Sequence, residues 1–365
     1  MRIIKPKRNY RASSVVFRIA IFCVAQLNRI FKVIPYKNSE KIVIISLHKI
    51  GDTIFTFPTI KFFGKKFDRN LTIVCYKSSF ELYKLLDFEA NIISVNDDDF
   101  HFGGRIAGLN SRKTIRKLRP DIIIDITGEL SSISLFSFTR VRKVYGRCTD
   151  SLKLFYDKNV LKQEKPTLPE RIFDVTRLIY SDAMIDNYQI KTPINYRIKK
   201  ICIHPFAGWK AKEWNFSKFI KIAEYLSEKY DCMILAEPER IDNDLKNYLS
   251  RTNILLKETG SLTELIEVIK QCDLFLSNDS GPVYLASELG KKTFIIHGPT
   301  NPNFSAPKLP HVSTIFKKIK CSPLEGKQYC YTNAGRNGCP SFECMNQLNV
   351  KEVLDGVFSL IDKEY

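Results

Sequence analysis

The chain has 365 residues, 44% apolar and 26% charged, which excludes a disordered or low-complexity protein and leaves room for about two domains. Its net charge of +18 points to anionic partners: nucleic acid, an anionic membrane surface or a phosphorylated substrate. Ten cysteines are dispersed along the chain, several inside apolar runs such as LTIVC and KICIH, a pattern that suits a reducing cytoplasm better than a disulfide framework.

Residues 1–40 carry nine Lys/Arg against a single acid, Glu40, and so hold +8 of the +18. Within them, Ser13 to Ile34 places Ser14, Arg18, Gln26, Arg29 and Lys32 at helical spacing. Phe17, Ile21 and Val24 mark the apolar side. The longest uncharged stretch, Ile19 to Asn28, is shorter than the ~20 apolar residues that span a bilayer. No small-residue cleavage site follows it. Two readings stand level: a basic amphipathic helix on an anionic cytoplasmic leaflet, or a helix packed on the protein's own surface.

From Lys41 the pattern becomes alternating. KIVIISL, LTIVC, NIISV, DIIIDI and KVYG read as strands with helices between them, over a domain of residues 41–185. A turn-rich linker around residues 180–195 follows. The alternation then restarts with KICIHPF, CMILAE, NILLKE, DLFLSN and TFIIHG over residues 195–348, and VKEVLDGVFSLI in 349–365 reads as a closing amphipathic helix that would pack back across both lobes. Apolar strands alternating with helices predict parallel sheets covered on both faces. The expected fold is therefore α/β, with two Rossmann-like, doubly wound domains facing across a cleft. Ligands of such sheets bind beyond the carboxyl ends of the strands.

Three histidines fall at strand ends and are expected to line that cleft: His48, His204 and His297. Each also has a plainer reading as a hydrogen-bonded structural residue. Gly51 permits a tight strand-to-helix turn. Asp52 beside it is either a helix cap or a carboxylate that accepts a hydroxyl proton. In HPFAGWKAKEW, the Ala207-Gly208 backbone and the ammonium groups of Lys210 and Lys212 suit a diphosphate, although an exposed basic loop would look the same. Leu276 to Pro282 (LSNDSGP) puts Asp279, Ser280 and Gly281 where free helix N-terminal amides recruit phosphate oxygens. His297 to Pro302 (HGPTNP) brings Thr300 to the same pocket.

SLHKIGDTIFTFP, HPFAGWKAKEW, TGSLTELIEVIKQCDLFLSNDSGPVYLASELG and IIHGPTNP, in this order between Lys41 and Pro302, resemble the successive signatures of glycosyltransferase family 9, which includes the ADP-heptose:lipopolysaccharide heptosyltransferases. The resemblance implies a GT-B fold, an inverting transfer and no essential metal or cofactor. It implies that Asp52 is the base, that Lys212 meets the sugar-nucleotide phosphates, and that Asp279-Ser280-Gly281 holds the diphosphate. Tyr284 departs from the family, whose members usually carry histidine there; its hydroxyl can hydrogen-bond but cannot become a cation near neutral pH. Where some heptosyltransferases have hydroxyl side chains, Ala207 and Gly208 offer only backbone.

The expected reaction moves a sugar, heptose from ADP-heptose by this resemblance, onto an anionic glycolipid or oligosaccharide such as a lipopolysaccharide core. Its expected setting is cytoplasmic, peripheral on the inner face of the inner membrane. The alternatives are a family member using another nucleotide sugar, or a non-catalytic carbohydrate-binding scaffold. Nucleic acid is not an expected partner, because no reader motif and no basic–aromatic stripe is present. Asp97-Asp98-Asp99 reads as a solvated loop. Cys321, Cys330, Cys339 and Cys344 are spaced more widely than the close pairs zinc sites favour, and read as metal-free thiols, with a structural metal as the alternative.

Overall fold

The computed structural model describes residues 11–30, 40–162, 167–185, 197–330, 339 and 341–363. Two six-stranded sheets organise them. The first half supplies β1 (Ile42–Ser46), β2 (Leu71–Tyr76), β3 (Asn91–Val95), the two-residue β4 (Ile106–Ala107), β5 (Ile122–Asp125), β6 (Lys143–Cys148) and β7 (Lys158–Leu161). The second supplies β8 (Lys200–His204), β9 (Asp231–Ala236), β10 (Leu255–Glu258), β11 (Leu274–Asn278), β12 (Lys292–His297) and β13 (Val312–Phe316). Their orders are β3-β2-β1-β5-β6-β7 and β10-β9-β8-β11-β12-β13, all pairs parallel. That is the Rossmann order, twice. The central strands β1, β11 and β12 are buried at every residue, as strands covered by helices on both faces must be.

The order reverses between β1 and β5 and between β8 and β11, so each sheet has its ligand crevice beside the loop that leaves β1 or β11. Those two loops meet. The helix α2 (Ile50–Phe67) follows β1, and the helix Gly281–Glu288 follows β11. A Cβ on Gly281 would lie 3.2 Å from the Gly51 amide nitrogen, and one on Gly51 would lie 3.3 Å from the Gly281 Cα. The two helix starts thus abut backbone to backbone because both residues lack side chains. Beyond them Phe55 sets its ring edge-on to Tyr284 at 4.8 Å, and Lys61, 2% exposed, pairs with Glu288 at 2.8 Å. One apolar core runs through this seam, from Ile54 and Phe57 in the first half to Leu285 and Ile295 in the second.

The N-terminal helix α1 (Arg11–Ile30) packs on the first domain. Ile21 is 1% exposed and sits in the core beside Val43, Ile133 and Phe155, with Phe22 and Ala25 against it. This corrects the expected apolar face: Ile21 is committed to the protein's own interior, and Val24 is half-buried. The side chain of Phe17 and the stretch 31–34 lie outside the described residues. The C-terminal helix Val350–Asp362 also departs from expectation. It does not bridge the lobes; Val353, Val357 and Leu360 join the second domain's core, and Lys292 donates to the carbonyls of Leu360, Ile361 and Lys363 at its end. Most of the expected linker, 186–196, lies outside the described residues. No helix among those described is long and apolar enough to cross a membrane.

Candidate active site

The abutting helix starts open onto a cleft of about 380 Å3 between the sheets, a volume in the range of small-molecule sites. Gly51, Asp52, Gly208, Lys212, Asp279, Ser280, Gly281, Tyr284 and Thr300 all face it, so nine of the fourteen residues singled out from sequence converge here, while Lys210 instead pairs with Glu213 at the surface. Asp52 is in the first turn of α2 and exposed. Lys49, not Asp52, is the residue at the helix cap, and its side chain makes no cap bond. The carboxylate of Asp52 lines the cleft.

Short polar side chains tie the loops of the second domain together. Ser277 Oγ donates to the His204 carbonyl at 2.7 Å, and Asn278 Nδ2 donates to the Pro205 carbonyl at 2.7 Å. Asn278 Oδ1 accepts from the Trp214 amide at 3.0 Å. These bonds fasten the loop after β8 to the end of β11 and bring Lys212 to Asp279.

Asp279 is the best-connected side chain of the site. Its Oδ2 receives the Lys212 ammonium at 2.6 Å and the Thr300 hydroxyl at 2.6 Å; its Oδ1 receives the Tyr284 hydroxyl. Burial alone would raise its carboxyl, but Lys212, His297 and the donated hydrogen bonds hold it well below the usual carboxylate range. Burial and this neighbouring anion push the Tyr284 hydroxyl far up, so it stays a neutral donor. An acceptor-only carboxylate with its lone pairs already engaged cannot itself hold phosphate. The expectation that Asp279 contacts the diphosphate directly thus becomes an arrangement in which Asp279 orients Lys212, Thr300 and Tyr284. The groups beside it that face the cleft are Lys212, Gly208 and the start of helix Gly281–Glu288, where Ser280 makes no side-chain cap bond.

The three histidines do not line the cleft. His204 is 7% exposed and its Nδ1 lies 3.3 Å from Ser277 Oγ; His297 is fully buried beneath Thr300. Burial pushes both rings down to about 4, so both are neutral near pH 7. Strand ends that are themselves buried place these rings in the floor under the cleft, which favours the plainer structural reading. His48, half-buried and bonded to Ser46 Oγ, sits off the wall as well. Desolvation, then the cations Arg147 and Lys162, push it down to about 3.

Sequence reasoning did not single out other cleft residues. Trp209 and Tyr329 stand as a tilted aromatic pair at 5.6 Å, with the Lys212 ammonium 4.8 Å over the Trp209 ring. Gln328 accepts from Arg171 Nη1 at 3.3 Å, linking the lobes at the rim. Trp209 stands inside HPFAGWKAKEW and could have been found; Tyr329 and Gln328 lie in an irregular segment with no periodic signal. Cys321, Cys330, Cys339 and Cys344 line one small separate cavity, and no group of three or more metal-ligating side chains among the described residues is placed to hold an ion. Asp97 and Asp99 are taken up by hydrogen bonds from Ser78 and Ser111.

Two Rossmann-ordered lobes with a carboxylate on one side of a cleft, and a lysine with helix amides on the other, define an enzyme class that transfers a group from a phosphorylated donor. Comparison with known proteins makes this specific. Residues 109–334, more than half the chain, match the family model for glycosyltransferase family 9 (heptosyltransferase). The chain belongs to that family and is a glycosyltransferase. It is 25% identical over 334 residues to lipooligosaccharide heptosyltransferase 2 of Campylobacter jejuni, covering 87% of this chain and 97% of that protein. A family 9 glycosyltransferase structure from Veillonella parvula superposes with a TM-score of 0.72 at 16% identity, over 90% of this chain and 99% of that one. The ADP-heptose lipopolysaccharide heptosyltransferase II of E. coli gives 0.65 at 16% identity, over 88% and 98%. The shared architecture is the GT-B fold.

Proposed function

We propose that this enzyme transfers heptose from ADP-heptose to a hydroxyl of a lipopolysaccharide-type core oligosaccharide, with inversion at the anomeric carbon. The observation that carries the reading is the meeting of Asp52 with Lys212 and the Ser280–Gly281 amides across the Gly51–Gly281 contact. The family membership and the names of the similar proteins support the donor. Residues 41–185 would present the acceptor and residues 195–348, with the helix in 349–365, the nucleotide sugar.

The Asp52 carboxylate takes the proton from the acceptor hydroxyl as its oxygen bonds to the anomeric carbon. The bond from that carbon to the diphosphate breaks at the same time, and the electron pair leaves with the diphosphate. Lys212 and the helix amides receive the charge that develops there. Trp209 and Tyr329 offer a flat wall suited to the base or sugar. A lipopolysaccharide-type acceptor is carried on a membrane lipid, and we place the enzyme in the cytoplasm at an anionic membrane surface.

The test is Asp52→Ala assayed with ADP-heptose and a water-soluble core fragment. Turnover should fall by about 10²- to 10⁴-fold, as loss of a general base does, while ADP binding stays within about twofold. Normal turnover would remove Asp52 from the chemistry; an unchanged enzyme inactive with ADP-heptose but active with another nucleotide sugar would overturn the donor.

A further inference from the structure

Helix α1 has two apolar sides, and the protein uses only one. Ile21, Phe22 and Ala25 face the first domain, with Phe22 edge-on to Phe155 at 5.8 Å. Val15, Val16, Ile19, Ala20, Cys23 and Leu27 are exposed. At ~100° per residue these six fall within about 140° of the helix surface, so they form one stripe in which Gln26 is the polar residue. Val16 is 70% and Ile19 59% exposed. The stripe continues onto the neighbouring turn, where Leu154 is 61% exposed and its carbonyl accepts from Gln26 Nε2. Among the described residues, five of the thirteen exposed large apolar side chains gather at this one place. A soluble surface does not concentrate them so without a partner.

The charge of the surrounding sequence selects the partner. Residues 1–40 hold nine Lys/Arg, and their single acid, Glu40, is paired with Arg142. A helix with an exposed apolar stripe, set in a strongly basic segment, matches an anionic bilayer surface: the stripe enters the acyl boundary and the cations meet the headgroups. We propose that α1 is a membrane-docking element whose inserting residues are Val15, Val16, Ile19 and Leu27, while Ile21 and Phe22 fasten the helix rigidly to the first domain. The proposal rests on the acceptor reading above only for its purpose, since the docked lobe is the one assigned to the lipid-borne acceptor. The bilayer contact itself is independent of which sugar moves.

The experiment uses the full chain and vesicles of phosphatidylcholine with phosphatidylglycerol, free of any glycolipid acceptor, with binding read by co-sedimentation. Binding should be roughly tenfold or more weaker on phosphatidylcholine alone and should fall as salt rises, because lipid–cation attraction is screened. V16S/I19S/L27S keeps every charge and leaves Ile21, Phe22 and Ala25 in their core contacts. It should reduce vesicle partition by about 100-fold or more, each serine costing several-fold through lost apolar transfer. Its melting temperature and its turnover on a water-soluble acceptor should match the wild type. As a second readout, Ile19→Trp should add an indole emission that shifts to the blue on anionic vesicles and is quenched by brominated acyl chains. Equal vesicle binding by the triple variant, equal binding to neutral vesicles, or an introduced indole that stays unquenched would overturn the proposal. So would a lipid-free dimer that the triple variant disperses, since the stripe would then be an interface between copies. Because the vesicles carry no acceptor and the transfer assay carries no lipid, failure here and failure of the transferase reading show up separately.

Discussion

The Lys212–Asp279 pair is open to a double-mutant cycle. Its partners are 17% and 3% exposed and stand 2.6 Å apart. Removing one member of a buried pair costs about 3–5 kcal/mol because the other charge stays behind uncompensated. Lys212 keeps some solvent, so Asp279→Asn should lie nearer about 2–3 kcal/mol by that scale. Lys212→Met should cost more, since it leaves the more deeply buried charge unpaired. The pair of changes together should cost less than their sum, with a coupling of about 2–3 kcal/mol. The assay is urea unfolding of all four proteins at pH 7.5. The sign of the pH dependence follows from the depressed carboxyl: its contribution is fully present above the unfolded value of 3.8 and is lost only as pH falls below it. The coupling should therefore be unchanged between pH 7.5 and pH 5.5. A coupling below about 0.5 kcal/mol, the scale of an exposed surface pair, would refute the view that Asp279 holds Lys212 in place.

Two other perturbations test the site's frame. Gly281→Val forces a branched side chain against the Gly51 amide and Ile50; overpacking of this kind costs about 1–3 kcal/mol, and displacement of Asp52 by about 1 Å should lower turnover by about 100-fold, so a variant with wild-type turnover would show that the lobes do not need this contact. His204 and His297, held neutral with values near 4 against an ordinary 6.5, contribute stability that is fully present above pH 6.5 and drains away as pH falls toward 4. At pH 5 the loss is about 2 kcal/mol for each ring, measurable as a lower urea midpoint than at pH 7.5; a midpoint that holds or rises would contradict their neutral burial.

Much of the architecture could be read from the chain because parallel strands covered on both faces are continuous apolar runs. IVIIS, LTIVCY, LFLSN and KTFIIH carry that signal without ambiguity, and the residues just after them are where a doubly wound sheet must bind its ligand. Gly51, Asp52, Lys212, Ser280 and Gly281 were legible for this reason. The sixth strand of each sheet was not, since KNVL and VSTIF are short edge strands, half-exposed and mixed in polarity. The helix Leu168–Arg177 was overlooked although Thr167 caps it and Pro169 opens it; its buried Ile172, Phe173 and Val175 pack on the first domain.

What sequence by itself determined was local: which segments are strands and helices, where the chain turns, and which polar residues stand at strand ends. Only the tertiary structure decided which of those residues share a cleft. His204 and His297 stand at the ends of apolar strands, as Asp279 does, yet burial turns them into floor. The chain could not reveal that Asp279 gives its charge to Lys212, because that pairing spans two loops joined by Ser277 and Asn278. Nor could it show which side of α1 faces outward. Ile19 and Ile21 are chemically equivalent in the sequence; the packing of one against Phe155's neighbours leaves the other to the solvent, and a helix presents residues two apart on opposite sides.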